Sequence, residues 1–274
     1  IACGNAACDA GGTAPAEEFK RALDLINSAQ RPVILAGQGI IKSGTTRQVL
    51  KFAEAAGIPI ATTLLGLGGI PASSPLNLGM MGMHGEAWVN QAIQQADLLI
   101  ALGMRFDDRV TGNLKTYAVN ARKIHVEIDP SEVNKNVHVD VPLIGDLADV
   151  LPQLMRGTKR SERTEWWDAI NVMKGDSAVR DIQALPDNGH LYAAHVINDL
   201  WRATKDRETI VGTDVGQHQM WEAQYYRHDQ PRSLITSGGL GTMGFALPAA
   251  IAAKYASPEK DVWVVVGAGG FQIS

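Results

Sequence analysis

Apolar positions along this chain fall into two alternating rhythms. Short runs dense in Val, Ile and Leu, at 32–36, 58–62, 97–103, 123–128, 209–212 and 262–266, have the length and composition of buried strands. Between them apolar residues recur every three to four positions. Phe19, Ala22, Leu23 and Ile26 make one face of a helix that Pro15 opens, with Glu17 and Glu18 in its first turn. Further helices are expected over 46–56, stopped by Gly57, and over 86–95, 149–155, 192–202, 217–225 and 244–255. Strands alternating with helices in this way mean βαβ units and a parallel sheet.

The alternation divides the chain. Residues 15–156 read as one Rossmann-like α/β domain. Charges and small residues cluster at 157–163, a helix with Trp166 and Trp167 follows, and Pro186-Asp187-Asn188-Gly189 is a turn, so 157–189 reads as an interdomain linker. A second α/β unit occupies 190–274. It stops eight residues after its last expected strand and reads as the N-terminal part of a larger doubly wound domain. Residues 1–14 are small and Gly-rich and are expected to form a disordered tail. No internal repeat or low-complexity segment is evident.

Composition narrows the function classes. The 274 residues include 25 Lys and Arg against 29 Asp and Glu, without the basic patch that nucleic-acid binding needs. No apolar run approaches the length of a membrane span. The two cysteines, Cys3 and Cys8, form neither a disulfide framework nor a zinc pattern and fit a reducing cytoplasm. The N-terminus lacks the charged and apolar regions of a secretion signal. A chain that starts on Ile is expected to be a fragment or a processed product.

Chemistry-bearing residues gather where strands end. Gly37-Gln38-Gly39 follows the first strand, where glycine permits either a ligand's close approach or a plain tight turn. Met80-Met81-Gly82-Met83-His84-Gly85 is a soft apolar stretch that suits a flat aromatic ligand or a core loop. Gly103-Met104-Arg105-Phe106-Asp107-Asp108-Arg109 follows a buried strand, placing charge at the carboxyl edge of a parallel sheet. Arg forks onto phosphate and Asp accepts from ribose hydroxyls, although a surface salt-bridge loop would look similar. Glu127-Ile128-Asp129-Pro130 and Gly145-Asp146 add acids to the same edge, and together these loops point to a dinucleotide or flavin nucleotide rather than metal chemistry. In the second unit, Asp214-Val215-Gly216-Gln217-His218 opens a helix, a natural diphosphate site. The runs 238–244 and 267–270 are two more Gly-rich leads. No G-x-S-x-G, H-E-x-x-H or C-x-x-C pattern occurs, so hydrolase and zinc-enzyme readings have no anchor.

Taken together, Met81-Gly82-Met83-His84-Gly85, the string from Arg105 to Gly112, the string from Asp214 to Trp221 and the string from Thr236 to Gly244 resemble the large catalytic subunit of acetolactate (acetohydroxyacid) synthase, a thiamine-diphosphate-dependent family. The resemblance runs from about Pro15 to the C-terminus. It implies a central FAD-binding domain followed by a diphosphate-binding domain, here truncated. It implies condensation of pyruvate with a second 2-ketoacid, with loss of carbon dioxide, in branched-chain amino-acid biosynthesis. The family's FAD contacts carry onto Gly37, Gly39, Thr63, Leu64, Met81, Gly82, Met83, His84, Met104, Arg105, Asp107, Asp108, Glu127, Ile128, Gly145 and Asp146. Gln217, His218, Gly241, Met243, Gly269 and Gly270 match thiamine diphosphate contacts, with Met243 under the bent cofactor. The resemblance further implies a homodimer or larger assembly, a regulatory small subunit, and Mg2+ on the diphosphate.

Several features depart from the family pattern. The pyrimidine-binding domain, which carries the family's catalytic Glu, is absent, and the chain ends before a downstream metal-binding Asn. Ala268 stands where the family has an Asp that ligates Mg2+, so no metal ligand and no catalytic residue is assigned to this chain. Glu127 stands where the family more often has Asp. The chain as given is therefore expected to be inactive alone. The alternatives are a non-catalytic flavin-binding or assembly fragment, or a relative such as glyoxylate carboligase, sulfoacetaldehyde acetyltransferase or pyruvate oxidase.

Overall fold

A computed structural model of the chain describes residues 14–178 and 188–274. The first unit runs α1 (Ala16–Ser28), β1 (Pro32–Ala36), α2 (Gly39–Lys42), α3 (Thr46–Ala56), β2 (Ile60–Thr62), β3 (Asn77–Met80), α4 (Ala87–Gln95), β4 (Leu98–Leu102), α5 (Asp108–Thr111), β5 (Arg122–Glu127), β6 (Val141–Ile144), α6 (Leu147–Gly157) and α7 (Thr164–Ala178). The second runs α8 (Ala193–Thr204), β7 (Thr209–Thr213), α9 (Gln217–Tyr225), β8 (Leu234–Thr236), α10 (Ala246–Ala256), β9 (Asp261–Val265) and α11 (Ala268–Gln272).

The first unit holds a six-stranded sheet in the order β3-β2-β1-β4-β5-β6, and every pairing is parallel. Pleating sends alternate residues of β1 to opposite faces. Ile34 and Ala36 enter one core with Ile26, Phe52 and Leu151. Val33 and Leu35 enter the other with Val89, Leu99 and Trp166. Both faces are covered, which explains why the strands read as unbroken apolar runs. The order reverses between β1 and β4, where their outgoing loops part and leave a crevice at the carboxyl edge.

Some elements lie beyond what the hydrophobic pattern marks. β3 has no β-branched residue, β6 is interrupted by Pro142, and β8 is only three residues long. They are edge strands, whose ladder demands are lower. Helix α7, expected within a linker, packs on α4 and seals the second core. Trp166 is buried and its Nε1 donates to the Pro32 carbonyl at 3.1 Å, while Trp167 Nε1 donates to Gly57 at 3.1 Å. Burying Ile170 alone contributes about 1.5–3 kcal/mol. Of the expected disordered tail, residues 1–13 lie outside the described set, whereas Ala14 is buried against the first core. Pro186 and Asp187 of the expected turn also lie outside it.

The second unit is a three-stranded parallel sheet, β8-β7-β9, with α10 across it. It meets the first unit through a defined seam. The Ala72 amide donates to the His228 carbonyl at 3.0 Å, the Ser73 amide to Asp229 at 2.8 Å, and Gln224 Nε2 to the His84 carbonyl at 2.8 Å. Gly68, with φ +77°, lies so close to the Gln230 carbonyl that a Cβ there would collide with it. Among the described residues no helix is long and apolar enough to cross a membrane.

Candidate functional site

A cavity of about 760 Å3 opens in the crevice between β1 and β4, within the ~300–1,000 Å3 range of small-molecule sites. Its lining includes Gly39, Thr63, Leu64, Met81, His84, Met104, Arg105, Asp107, Glu127, Ile128, Gly145 and Asp146. Twelve of the sixteen residues expected to contact flavin therefore share one space, brought from the ends of β1, β2, β3, β4, β5 and β6.

The other four of that set have different placements. Gly37 packs against the loop after β4, where a Cβ would overlap the Gly103 carbonyl and sit 2.7 Å from Met104 Cα. Its lack of a side chain serves chain-to-chain approach. Gly39 serves both ends, lining the cavity while a Cβ there would come within 2.5 Å of Gly103 Cα. Gly82, with φ +90°, turns the chain against the Arg109 carbonyl. Met83 is exposed, with its sulfur 3.9 Å from Arg109 Nη1, and Asp108 is exposed beside Arg109. Of the expected methionine wall, Met80 and Met81 are buried and line the cavity, and the exposed Met83 is not among its lining residues.

The acids at the sheet edge have structural work besides any ligand. Asp107 accepts from the Val110 amide at 3.3 Å and caps α5, and Asp146 accepts from the Ala148 amide at 2.8 Å and caps α6. Glu127 accepts from the Ile128 amide at 2.9 Å, which holds its longer side chain back along its own strand. Each carboxylate keeps further acceptor capacity, the chemistry that ribose hydroxyls require. Arg105 lies 3.5 Å from Asp107. His84 titrates below its ordinary 6.5, chiefly through burial and secondarily through the neighbouring Arg109 guanidinium. The flat apolar wall of Met80, Met81, Leu64, Leu65 and Val110, with glycine turns and edge carboxylates, fits a flavin dinucleotide.

Several lining residues were not singled out in the sequence. Lys42 and Ser43 come from the short helix after β1, a segment with no distinctive spacing, and Gln38 comes from the glycine turn before it. Val215, Gln219, Ser237, Gly238, Gly239 and Leu240 come from the second unit, so the cavity lies across the seam. These belong to strings that were noticed, but only folding places them against the first unit.

The second cluster gathers beside β7 and β9. Gly216, with φ 144°, precedes α9, and Gly267 precedes α11. The His218 ring fits between these two glycines: a Cβ on Gly216 would lie 3.1 Å, and one on Gly267 3.3 Å, from His218 Cε1. Its Nε2 is buried without a partner, and burial lowers its pKa against the pull of Asp214. The first-turn amides of α9, those of Gln217 and His218, have no intrahelical acceptor. Gly269 sits under Met243, whose Cε would be 3.3 Å from a Cβ there, and Met243 is half exposed. Gly270 packs against Asp214, and Gly241 joins the cavity lining. Oriented amides and an unpartnered imidazole fit a diphosphate.

A magnesium ion does not fit. Ala268 offers a methyl group, and the buried Asp214 accepts from the Ala246 amide at 2.5 Å and the Gly244 amide at 3.1 Å. Among the described residues no cluster of three or more His, Cys, Asp or Glu could hold a metal.

The fold also assembles a buried chain that no motif announces. His228 Nε2 lies 2.7 Å from Glu222, and its Nδ1 lies 2.7 Å from Ser233 Oγ, which donates to the Gln230 carbonyl. Ser233 is buried and its proton is already committed to the Gln230 carbonyl, so this is a brace for the seam rather than a nucleophile.

Two family descriptions match the chain: "Thiamine pyrophosphate enzyme, central domain" over residues 19–154, and "Thiamine pyrophosphate enzyme, C-terminal TPP binding domain" over 214–274. Similar proteins include a probable acetolactate synthase large subunit of Methanococcus aeolicus, 42% identical over 94% of this chain and 45% of the relative. An acetolactate synthase of Mycobacterium bovis is 43% identical over 94% of this chain and 42% of its own. The acetolactate synthase large subunit of Corynebacterium glutamicum is 42% identical over 96% and 42% respectively. The chain thus spans less than half the length of the curated relatives it matches.

Proposed function

Because the chain belongs to the thiamine pyrophosphate enzymes, we propose that it supplies the cofactor-holding parts of an acetolactate synthase-type carboligase, condensing pyruvate with a second 2-ketoacid with loss of carbon dioxide. The observation that carries this reading is the placement of two cofactor-shaped sites at one seam, the first lying across it and the second beside it in the second unit. One is the cavity at the crevice of the first sheet, the other the glycine-flanked His218 beside β7 and β9. Acetolactate synthase chemistry needs thiamine diphosphate as electron sink, and this family binds it in the domain matched by residues 214–274.

In this chain the α9 amides, His218, Gly269 and Gly270 hold the diphosphate, and Met243 props the cofactor from below. FAD would be held in the cavity by Met81 and His84 on its apolar side and by the acceptors Glu127 and Asp146 at the sheet edge. The His84 carbonyl is tied to Gln224 of α9, which links the cavity wall to the helix whose first turn would hold the diphosphate. The working enzyme has a second large subunit and a regulatory small subunit, and operates in the cytoplasm in branched-chain amino-acid biosynthesis.

Ala268 sets this chain apart. Without an oxygen at that position the diphosphate has no metal clamp, so the isolated chain holds flavin and binds thiamine diphosphate weakly. The test is to purify the chain, record its flavin absorbance and titrate thiamine diphosphate calorimetrically, with and without Mg2+. Bound flavin, with weak cofactor affinity that Mg2+ leaves unchanged, is expected. A colourless protein that takes up neither flavin nor thiamine diphosphate when they are supplied would refute the reading. Acetolactate formed from pyruvate by the chain alone would refute its inactivity.

A further inference from the structure

We propose that Lys42 is a ligand-binding residue of the cavity, the cation that receives a phosphate group of the dinucleotide lying there. This deepens, and rests on, the flavin reading of that cavity. Three cations line it: Lys42, Arg105 and Arg109. Both arginines have carboxylate company, Arg105 at 3.5 Å from Asp107 and Arg109 at 3.7 Å from Asp108. Among the described residues Lys42 has no ion pair, and its ammonium has no hydrogen-bond acceptor. Among the described residues it is the one of these three cations without a carboxylate partner.

Its backbone is held firmly. The Lys42 amide donates to the Gln38 carbonyl at 3.0 Å, and Ser43 Oγ donates to the Gly39 carbonyl at 2.7 Å. Ser43 Oγ also lies 2.8 Å from Thr45 Oγ1, and both Thr45 and Ile40 are buried. A fixed backbone leaves only the side chain to be ordered when a ligand arrives, so no backbone entropy is lost on binding.

Charge across the cavity also sets a direction. Glu127 and Asp146 stand at the ends of β5 and β6, whereas Lys42 stands beyond β1. A phosphate is repelled from the acidic edge and drawn to the lysine, while hydroxyl groups suit the carboxylates. Lys42 therefore orients the ligand, with phosphate over α2 and ribose over β5 and β6. A purely structural role exists for comparison: a lysine in the last turn of α2 complements that helix end. That role would change stability and would not distinguish one flavin from another.

The experiment titrates the full chain with FAD and with riboflavin, which has the same ring and no phosphate, following flavin fluorescence. It compares the unaltered chain with Lys42→Ala and Lys42→Arg. Lys42→Ala should weaken FAD binding about tenfold, as loss of one charge-assisted hydrogen bond does. Riboflavin affinity should stay within about twofold, and Lys42→Arg should recover most of the FAD affinity. Raised salt should weaken FAD binding more in the unaltered chain than in Lys42→Ala. Equal losses for FAD and riboflavin, or no loss for either, would overturn the role of Lys42 and leave the flavin reading standing. Failure of the unaltered chain to bind either flavin would overturn both.

Discussion

Replacing His228 by Ala tests whether the buried chain at the seam braces the two units. The ring is held by two hydrogen bonds of 2.7 Å, one to Glu222 and one to Ser233, and lies with its centroid 4.8 Å from that of Tyr226. Glu222 is fully buried, and its second oxygen already lacks a partner. Removing the imidazole leaves the carboxyl group with no side-chain partner in a site that water does not reach. Breaking a buried pair by deleting one partner costs about 3–5 kcal/mol. That is a large share of the ~5–15 kcal/mol that holds a folded protein together. Urea unfolding at constant pH measures the loss as a fall in midpoint. A double-mutant cycle with Glu222→Gln and His228→Gln isolates the pair, and a coupling of about 2 kcal/mol or more is expected. The same substitution should loosen flavin, because α9 carries both Glu222 and the Gln224 that holds the His84 carbonyl. A coupling below about 0.5 kcal/mol, with unchanged flavin affinity, would show that the seam does not depend on this pair.

Other expectations follow from the same geometry. Burial lowers the pKa of His84, His125 and His218 below 6.5, so each binds a proton more readily when unfolded. Stability should be fully present above pH 6.5 and fall as the pH drops below it through the folded values, and His125→Gln should flatten the slope in unfolding curves taken at a series of pH values. A slope of the opposite sign would contradict this. Gly37→Ala should cost about 1–3 kcal/mol and lower flavin affinity, because its Cβ would lie 2.7 Å from the Met104 backbone with nowhere to move, and thermal unfolding with and without flavin checks both effects. Ala268→Asp places a carboxylate at the start of α11 beside the proposed diphosphate, and calorimetry should show thiamine diphosphate affinity gaining at least about tenfold in Mg2+ but not in chelator. The same gain in chelator would mean that the aspartate acts without metal.

Much of this protein was determined by its sequence alone, where the governing interactions are local. The apolar runs at 32–36 and 97–103 had to be strands covered on both faces, and the 217–225 segment became α9 with those bounds. Gly57, with φ 62°, ends α3 because it alone reaches the left-handed conformation cheaply. The strings around Arg105 and Gln217 carried the family. Tertiary structure decided the rest. The edge strands β3, β6 and β8 carry no strong pattern, since a neighbour's ladder imposes their shape. Helix α7 reads as part of a linker until the first unit supplies the surface that buries Trp166. Gly37 reads either as a ligand approach or as a tight turn, and only folding shows that the Gly103 loop occupies the space a side chain would need. The His228 brace and the unpaired charge of Lys42 have no local signature, because each depends on which groups from distant segments arrive beside it, and which do not.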